Sequence, residues 1–433
     1  MPVDSHLTLA EMNDMAYNVY DLHTMYGTKM AQLTSDWMDQ GTFKSASRRG
    51  FLVGRSTFPG FGKFGGHELG ENESTFDFLK YSIAGMLNMN MFGIPFSGAS
   101  VCGYMGKTTD DLCSRWYQVA AFYPFTLNNN GESTQQQQPW SFDTNSTLYA
   151  ARGAARQRYS WLQTLYTMYL DIHSNGGALA TPTLFMYPDE MKGKTDYSFM
   201  WGDKLLIIPC VDEMKAPSDT FNAYIPTGDV WYNTTDYQFA ALGTNGNVQL
   251  PATLNYTNVL LRGGSIVAYQ NTTDDMFGKT LNATKDLVQR PVELIIAPGP
   301  NLNASATFAL DDGIETGLST LKEVSLSYEG KQLRVELTAG LGNTPLPWQT
   351  ANSIWILGES VEATTKVCAK YQNLTELALN IAIDGPNVKI TKADQTPISY
   401  MDLRYLVLVE SGDDNPCTSS FTVTETTKVG TAG

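Results

Sequence analysis

Four short stretches between residues 55 and 130 collect the residue types that can do chemistry on a sugar. They read Arg55-Ser56-Thr57-Phe58, His67-Glu68-Leu69-Gly70-Glu71-Asn72, Ser97-Gly98-Ala99-Ser100-Val101-Cys102-Gly103 and Phe122-Tyr123-Pro124-Phe125-Thr126-Leu127-Asn128-Asn129-Asn130. Glycine lets backbone approach a ligand, aromatic faces cover the apolar side of a sugar ring, and amides and acids bond its hydroxyls. Metal chemistry is not expected. The four histidines, His6, His23, His67 and His173, form no His-x-x-x-His pair, and no two cysteines have Cys-x-x-Cys spacing. No cofactor is expected either. A net charge of −15 and the lack of any basic stripe exclude nucleic acid as a partner, because phosphate binding needs clustered Lys and Arg.

These stretches need elements to hold them. Phe51-Leu52-Val53-Gly54-Arg55-Ser56 reads as a short apolar strand. Ser74-Thr75-Phe76-Asp77 has the form of a capping box, with Phe76, Leu79, Ile83, Met86 and Leu87 behind it at helical spacing. Phe92–Ala99 reads as a second strand, Asp110–Ala121 as a helix and Phe122–Phe125 as a third strand. Gln157–Asp171 reads as a helix and Thr181–Met186 as a fourth strand. In parallel α/β barrels chemistry sits on loops at the C-terminal ends of the strands, where these four stretches fall. Four such units make half of a (β/α)₈ TIM barrel. Half a barrel leaves an unpaired sheet edge, so a partner is expected: the N-terminal half of the same protein or a companion chain.

After Tyr197 the pattern changes to short strands separated by turn residues, among them Lys204–Val211, Val259–Tyr269, Val292–Ala297, Val324–Tyr328 and Tyr405–Glu410. That is the pattern of β-sandwiches. The expected organisation is α/β followed by all-β: the second half of a TIM barrel over 1–197, then two C-terminal β-sandwich domains over 198–290 and 291–433. Gln135–Gln138 reads as a low-complexity insertion in a loop. The longest apolar run, Leu205–Val211, is far short of the roughly 20 residues a membrane-spanning helix needs.

From about Tyr20 onward the sequence resembles glycoside hydrolase family 31, the α-glucosidase and maltase family. Asp21-Leu22-His23-Thr24-Met25-Tyr26-Gly27 resembles that family's Leu/Val-His-Asn-Leu-Tyr-Gly block. Trp201-Gly202, Leu261-Arg262-Gly263-Gly264 and Leu310-Asp311-Asp312-Gly313 resemble blocks of its C-terminal β domains. The Cys102–Cys113 spacing is similar to that of a family disulfide.

The resemblance implies retaining hydrolysis of α-glucosidic bonds, which needs a carboxylate nucleophile and a second carboxyl group as acid/base about 5 Å away. The family's nucleophile motif, Trp-x-Asp-Met-Asn-Glu, is not in this chain. Its acid/base motif, His-Trp-x-Gly-Asp-Asn, stands here as His67-Glu68-Leu69-Gly70-Glu71-Asn72, which puts Glu71 at the acid/base position with one extra methylene. Glu68 replaces an aromatic residue. The family's Gly-Ala-Asp-Ile-Cys-Gly reads Gly98-Ala99-Ser100-Val101-Cys102-Gly103. Its Arg-Asn-His-Asn reads Leu127-Asn128-Asn129-Asn130, and an Arg before Pro-Leu became Thr181. Arg55 is retained and Tyr104 replaces a Phe. The sugar-binding residues implied are therefore Arg55, His67, Glu68, Ser100, Tyr104 and Asn129, around an α-linked carbohydrate.

Asn-x-Ser/Thr occurs at Asn72, Asn145, Asn233, Asn255, Asn271, Asn282, Asn303 and Asn373. So many sequons imply a glycoprotein of the secretory pathway: extracellular, at the cell surface or in a lysosome-like compartment. Residues 1–20 lack a signal-peptide pattern, so a fragment of a longer chain is expected. Cys368 and Cys417 are placed to pair, and Cys210 reads as a buried thiol. The charged groups missing around one sugar pocket imply a non-catalytic binding or structural role. The alternative is an active α-glycosidase of altered specificity, with Glu71 as acid/base and a nucleophile Asp from an upstream half.

Overall fold

The computed structural model describes residues 6–8, 16–40, 48–132, 134–192, 197–214, 219–234, 240–241, 246–272, 284–314, 320–339, 348–359, 361, 365–372, 375–384 and 386–409. Its first half is α/β. Strands Val53–Gly54, Gly66–Glu68 and Ser97–Gly98 pair in parallel, in register Val53 to Gly66 and His67 to Ser97. Ser100 and Leu127 form a further parallel bridge. These strands are shorter than expected: Phe92–Ala99 contributes only Ser97–Gly98 as strand. Phe122–Phe125 is a turn rather than a strand, tied to the sheet by the Phe125 N–H donating to the Ser97 carbonyl at 3.1 Å.

Helices wrap this sheet. Phe76–Met91 buries Leu79, Ile83 and Met86, as its spacing predicts. Its N-cap is Thr75 rather than Ser74: the Thr75 hydroxyl accepts from the Phe78 N–H at 3.2 Å. Asp110–Ala120 buries Leu112, Trp116 and Val119 and is capped by Thr109. The single helix expected over Gln157–Asp171 is instead two, Ser146–Ser160 and Leu162–Asn175, which meet at the buried Trp161. Helix Tyr26–Gln40 buries only Ala31 among its residues, while Tyr26, Met30, Leu33 and Trp37 stand exposed at helical spacing.

The expected fourth parallel strand behaves differently. Ala180–Pro182 is a strand and Thr183–Met186 a helical turn, and the strand pairs antiparallel with Phe199–Trp201. It forms the edge of a six-stranded sheet that continues through Leu205–Ile208, Asn258–Arg262, Trp231–Asn233 and Ala240–Ala241. The expected strand Val259–Tyr269 is broken at Gly263-Gly264. Asn258–Arg262 stays in the six-stranded sheet, while Ser265–Tyr269 joins a ten-stranded sheet between Val292–Ala297 and Ala304–Leu310. The two ends of the larger sheet meet, at Lys366–Tyr371 and Leu379–Asp384, and a bridge joins Lys370 to Glu376. Its interior is a core of Leu, Ile, Val and Tyr, including Leu294, Ile354, Leu406 and Tyr400. Leu205–Ile208 is a wholly buried strand, and among the described residues no helix is long and apolar enough to cross a membrane.

Candidate active site

The end of strand Gly66–Glu68 and the loop after it bring Glu68 and Glu71 to Arg55, which follows the neighbouring strand. Arg55 Nε lies 3.6 Å from Glu68 Oε2, and its Nη1 lies 3.4 Å from Glu71 Oε1. Gly70 makes the approach possible. It sits at φ +92°, and a Cβ there would meet the Arg55 guanidinium at 2.5 Å. The Arg55 and Glu71 side chains are about half exposed, at 53% and 49%, so water screens their attraction.

His67 turns away from this cluster to Thr57, with 2.9 Å between Nδ1 and Oγ1. Burial, and then the nearby Arg55 charge, hold its imidazole below the ordinary histidine range. It is therefore a neutral group at neutral pH.

A second cluster forms where the next two loops meet. The Ser100 hydroxyl donates to Asn129 Oδ1 at 2.7 Å. Asn72 is buried between the loops. Its Nδ2 donates to the Ser100 carbonyl at 3.1 Å and its Oδ1 accepts from the Tyr104 N–H at 3.1 Å. Leu127 accepts at its carbonyl from the Val101 N–H at 2.8 Å. Gly98 is required by packing: a Cβ would fall 1.6 Å from the Phe125 carbonyl oxygen. Cys102 is disulfide-bonded to Cys113, which ties this loop to helix Asp110–Ala120. The structure thus brings Arg55, Glu68 and Glu71 into one group and Ser100, Tyr104 and Asn129 into another. Asn72, next to Glu71 in the chain, links the two.

Three supporting residues were not read from the sequence. Thr57 fixes the His67 ring. Gln137, inside the Gln135–Gln138 loop insertion, is buried. Its Nε2 donates to the Gly103 carbonyl at 2.9 Å, and its own carbonyl accepts from Asn128 Nδ2 at 2.8 Å. Arg158 donates to the carbonyls of Ala121, Tyr123 and Pro124, at 2.9, 2.5 and 3.0 Å, and so sets the path of the segment leading to Leu127. An arginine within a helix otherwise read as packed was the available signal for Arg158. A run of four glutamines offers no signal for one of them.

The sequon asparagines are placed unequally. Asn145, Asn255 and Asn303 are exposed, Asn233 and Asn271 partly buried, and Asn72 buried. Asn282 and Asn373 lie outside the described residues. Cys368 is disulfide-bonded, Cys417 lies outside the described residues, and Cys210 is a free buried thiol.

The chain matches the glycosyl hydrolases family 31 TIM-barrel domain over residues 3–168 and the glycosyl hydrolase family 31 C-terminal domain over 176–267. It is 34% identical over 386 residues to human intestinal sucrase-isomaltase, covering 87% of this chain and 20% of that protein. It is 31% identical to rat lysosomal alpha-glucosidase over 369 residues, 77% of this chain and 37% of the relative. The chain therefore spans well under half the length of these relatives. Among solved structures, the glucosidase II alpha subunit superposes with a TM-score of 0.77 at 21% identity, covering 91% of this chain and 43% of that one. A Flavobacterium johnsoniae dextranase gives 0.71 at 18%. At those identities the likeness is one of fold, and it matches the α/β-then-all-β order found here. From the two matched domains and the shared fold, the chain belongs to glycosyl hydrolase family 31.

Proposed function

We propose that this chain is a family 31 scaffold whose sugar site has lost most of its hydrolytic power and serves a binding or structural role. The observation that carries this reading is the state of the Glu71 carboxylate. It is half exposed and shares one loosely held arginine with Glu68. An acid/base must hold its carboxyl group at the scissile oxygen, and a displacement of about 1 Å from an added methylene can lower a rate on the order of a hundredfold. The neighbouring cluster adds to the argument. Where the family resemblance implies an aspartate and a histidine, Ser100 and Asn129 satisfy each other. Two neutral groups bonded to one another offer little charge to a developing transition state.

The exposed stripe of Tyr26, Met30, Leu33 and Trp37 supports a partner that covers it, which we take to be an N-terminal half of the same protein completing the barrel. A secretory-pathway glycoprotein is the setting most consistent with the sequons. Glycans are assigned to the exposed Asn145, Asn255 and Asn303. Asn72 is excluded, because its amide is buried and bonded through both its atoms.

The rival reading is an active α-glycosidase of altered specificity, with Glu71 as acid/base and a nucleophile Asp from upstream sequence. It draws on the retained, solvent-reachable carboxyl group. Turnover of maltose and of an aryl α-glucoside by the complete protein separates the two. The proposal expects rates near background, and robust turnover of either substrate overturns it.

A further inference from the structure

Away from the Glu71 region, a half-open cavity of about 450 Å³ lies where the helical half meets both sheets. Helix Leu162–Asn175 supplies Thr167, Met168 and Asp171 to its wall, and the turn after Trp201 supplies Asp203 and Lys204. Strand Lys322–Glu329 supplies Glu323. The volume falls within the range of small-molecule sites.

The lining is chemically specific. Among the described residues the Lys204 ammonium makes no hydrogen bond or ion pair, although Asp203 and Asp171 are near enough to act on it through their charge. Burial pulls that ammonium below the ordinary lysine range. Asp171 uses one oxygen to accept from Asn175 Nδ2 at 2.7 Å. The Thr167 hydroxyl is already engaged by Gln163 at 3.1 Å and the Ala309 carbonyl at 3.4 Å, so it leaves the charged groups to deal with any occupant.

Three carboxylates and one ammonium in the wall of the cavity decide which occupant fits. An anion would pair with Lys204 but face three like charges. A metal cation would face the ammonium. A neutral molecule carrying several hydroxyls satisfies both signs at once, because each hydroxyl donates to a carboxylate and accepts from the lysine. Met168 supplies an apolar wall for the carbon face of such a molecule. The geometry points to a second, non-catalytic carbohydrate site in this cavity, which takes a neutral sugar unit or polyol of about pyranose size.

The site stands apart from the Glu71 cluster, so its success or failure is independent of the hydrolysis question. The test is ¹³C-methyl NMR of the intact protein labelled at methionine, with the Met168 signal assigned by Met168→Leu and D-glucose as the probe. A saturable shift of the Met168 methyl is expected. Lys204→Met should weaken the apparent affinity about tenfold by removing a charge-assisted donor, and Glu323→Gln should weaken it less. No saturable shift in the wild type overturns the proposal. So does a shift that Lys204→Met leaves unchanged, or one driven by inorganic phosphate in preference to glucose.

Discussion

Arg49 and Arg55 flank the same short strand, and each meets carboxylates, yet they are built differently. Arg49 bonds directly to Asp311, whose side chain is fully buried, and donates to the Tyr166 hydroxyl at 2.7 Å. Tyr166 in turn donates to Asp311 at 2.7 Å, and the Gly313 N–H closes the turn onto the same carboxylate at 2.9 Å. Both carboxylate oxygens are engaged, and the Tyr166 hydroxyl is pushed up to about 12 by burial first and then by Asp311. Arg55 instead reaches the half-exposed Glu71 at 3.4 Å and the partly buried Glu68 at 3.6 Å. In this fold a fixed polar cluster is one like Asp311, buried and bonded by three donors. The chain applies that construction to the joint between its α/β half and the ten-stranded sheet and withholds it from Glu71. Under the proposal above, that contrast is what an impaired site would consist of.

Predictions follow from the contrast in order of size. Asp311→Ala should destabilise the chain most, by about 3–5 kcal/mol, because it strands a partly buried arginine and a tyrosine hydroxyl. Urea denaturation checks this, and a loss no larger than that of an exposed ion pair would erase the contrast. His67 predicts an effect of pH. Its folded-state pKa lies below the unfolded value of 6.5, so the native state binds fewer protons than the unfolded chain. Stability from this group is complete above 6.5 and falls as pH drops below it, until the lower folded value is passed. His67→Asn should flatten that acid-side slope in denaturation midpoints taken across the window. Arg55→Ala should matter least to stability, below about 0.5 kcal/mol, as half-exposed pairs generally do. A cost near that of Asp311→Ala would mean the Glu71 cluster is more firmly held than its exposure implies.

The order of the two halves was legible because the hydrophobic period changes after Tyr197, and the helix at Phe76–Met91 because its apolar residues repeat at helical spacing. The parallel strands were overread. In short barrel strands few residues are paired, and their apolar flanks, such as Phe122–Phe125, continue the pattern into turns that are buried for packing alone. Thr181 illustrates a second limit. Strand direction is set by the partner, here Phe199–Trp201, and cannot be read from the strand itself. Helix Tyr26–Gln40 was missed even though Tyr26, Met30, Leu33 and Trp37 carry its period. At the site, the family resemblance gave Glu71, Arg55 and Ser100 as positions. They did not give the Ser100–Asn129 bond or the role of Gln137, which depend on where three loops meet.

The most direct test of the central claim is Glu71→Gln in the complete protein, with single-turnover and steady-state assays on maltose. If Glu71 no longer serves as acid/base, the variant and the wild type give the same background rate. A sharp fall in kcat on this substitution would show Glu71 at work as the acid/base and contradict the account.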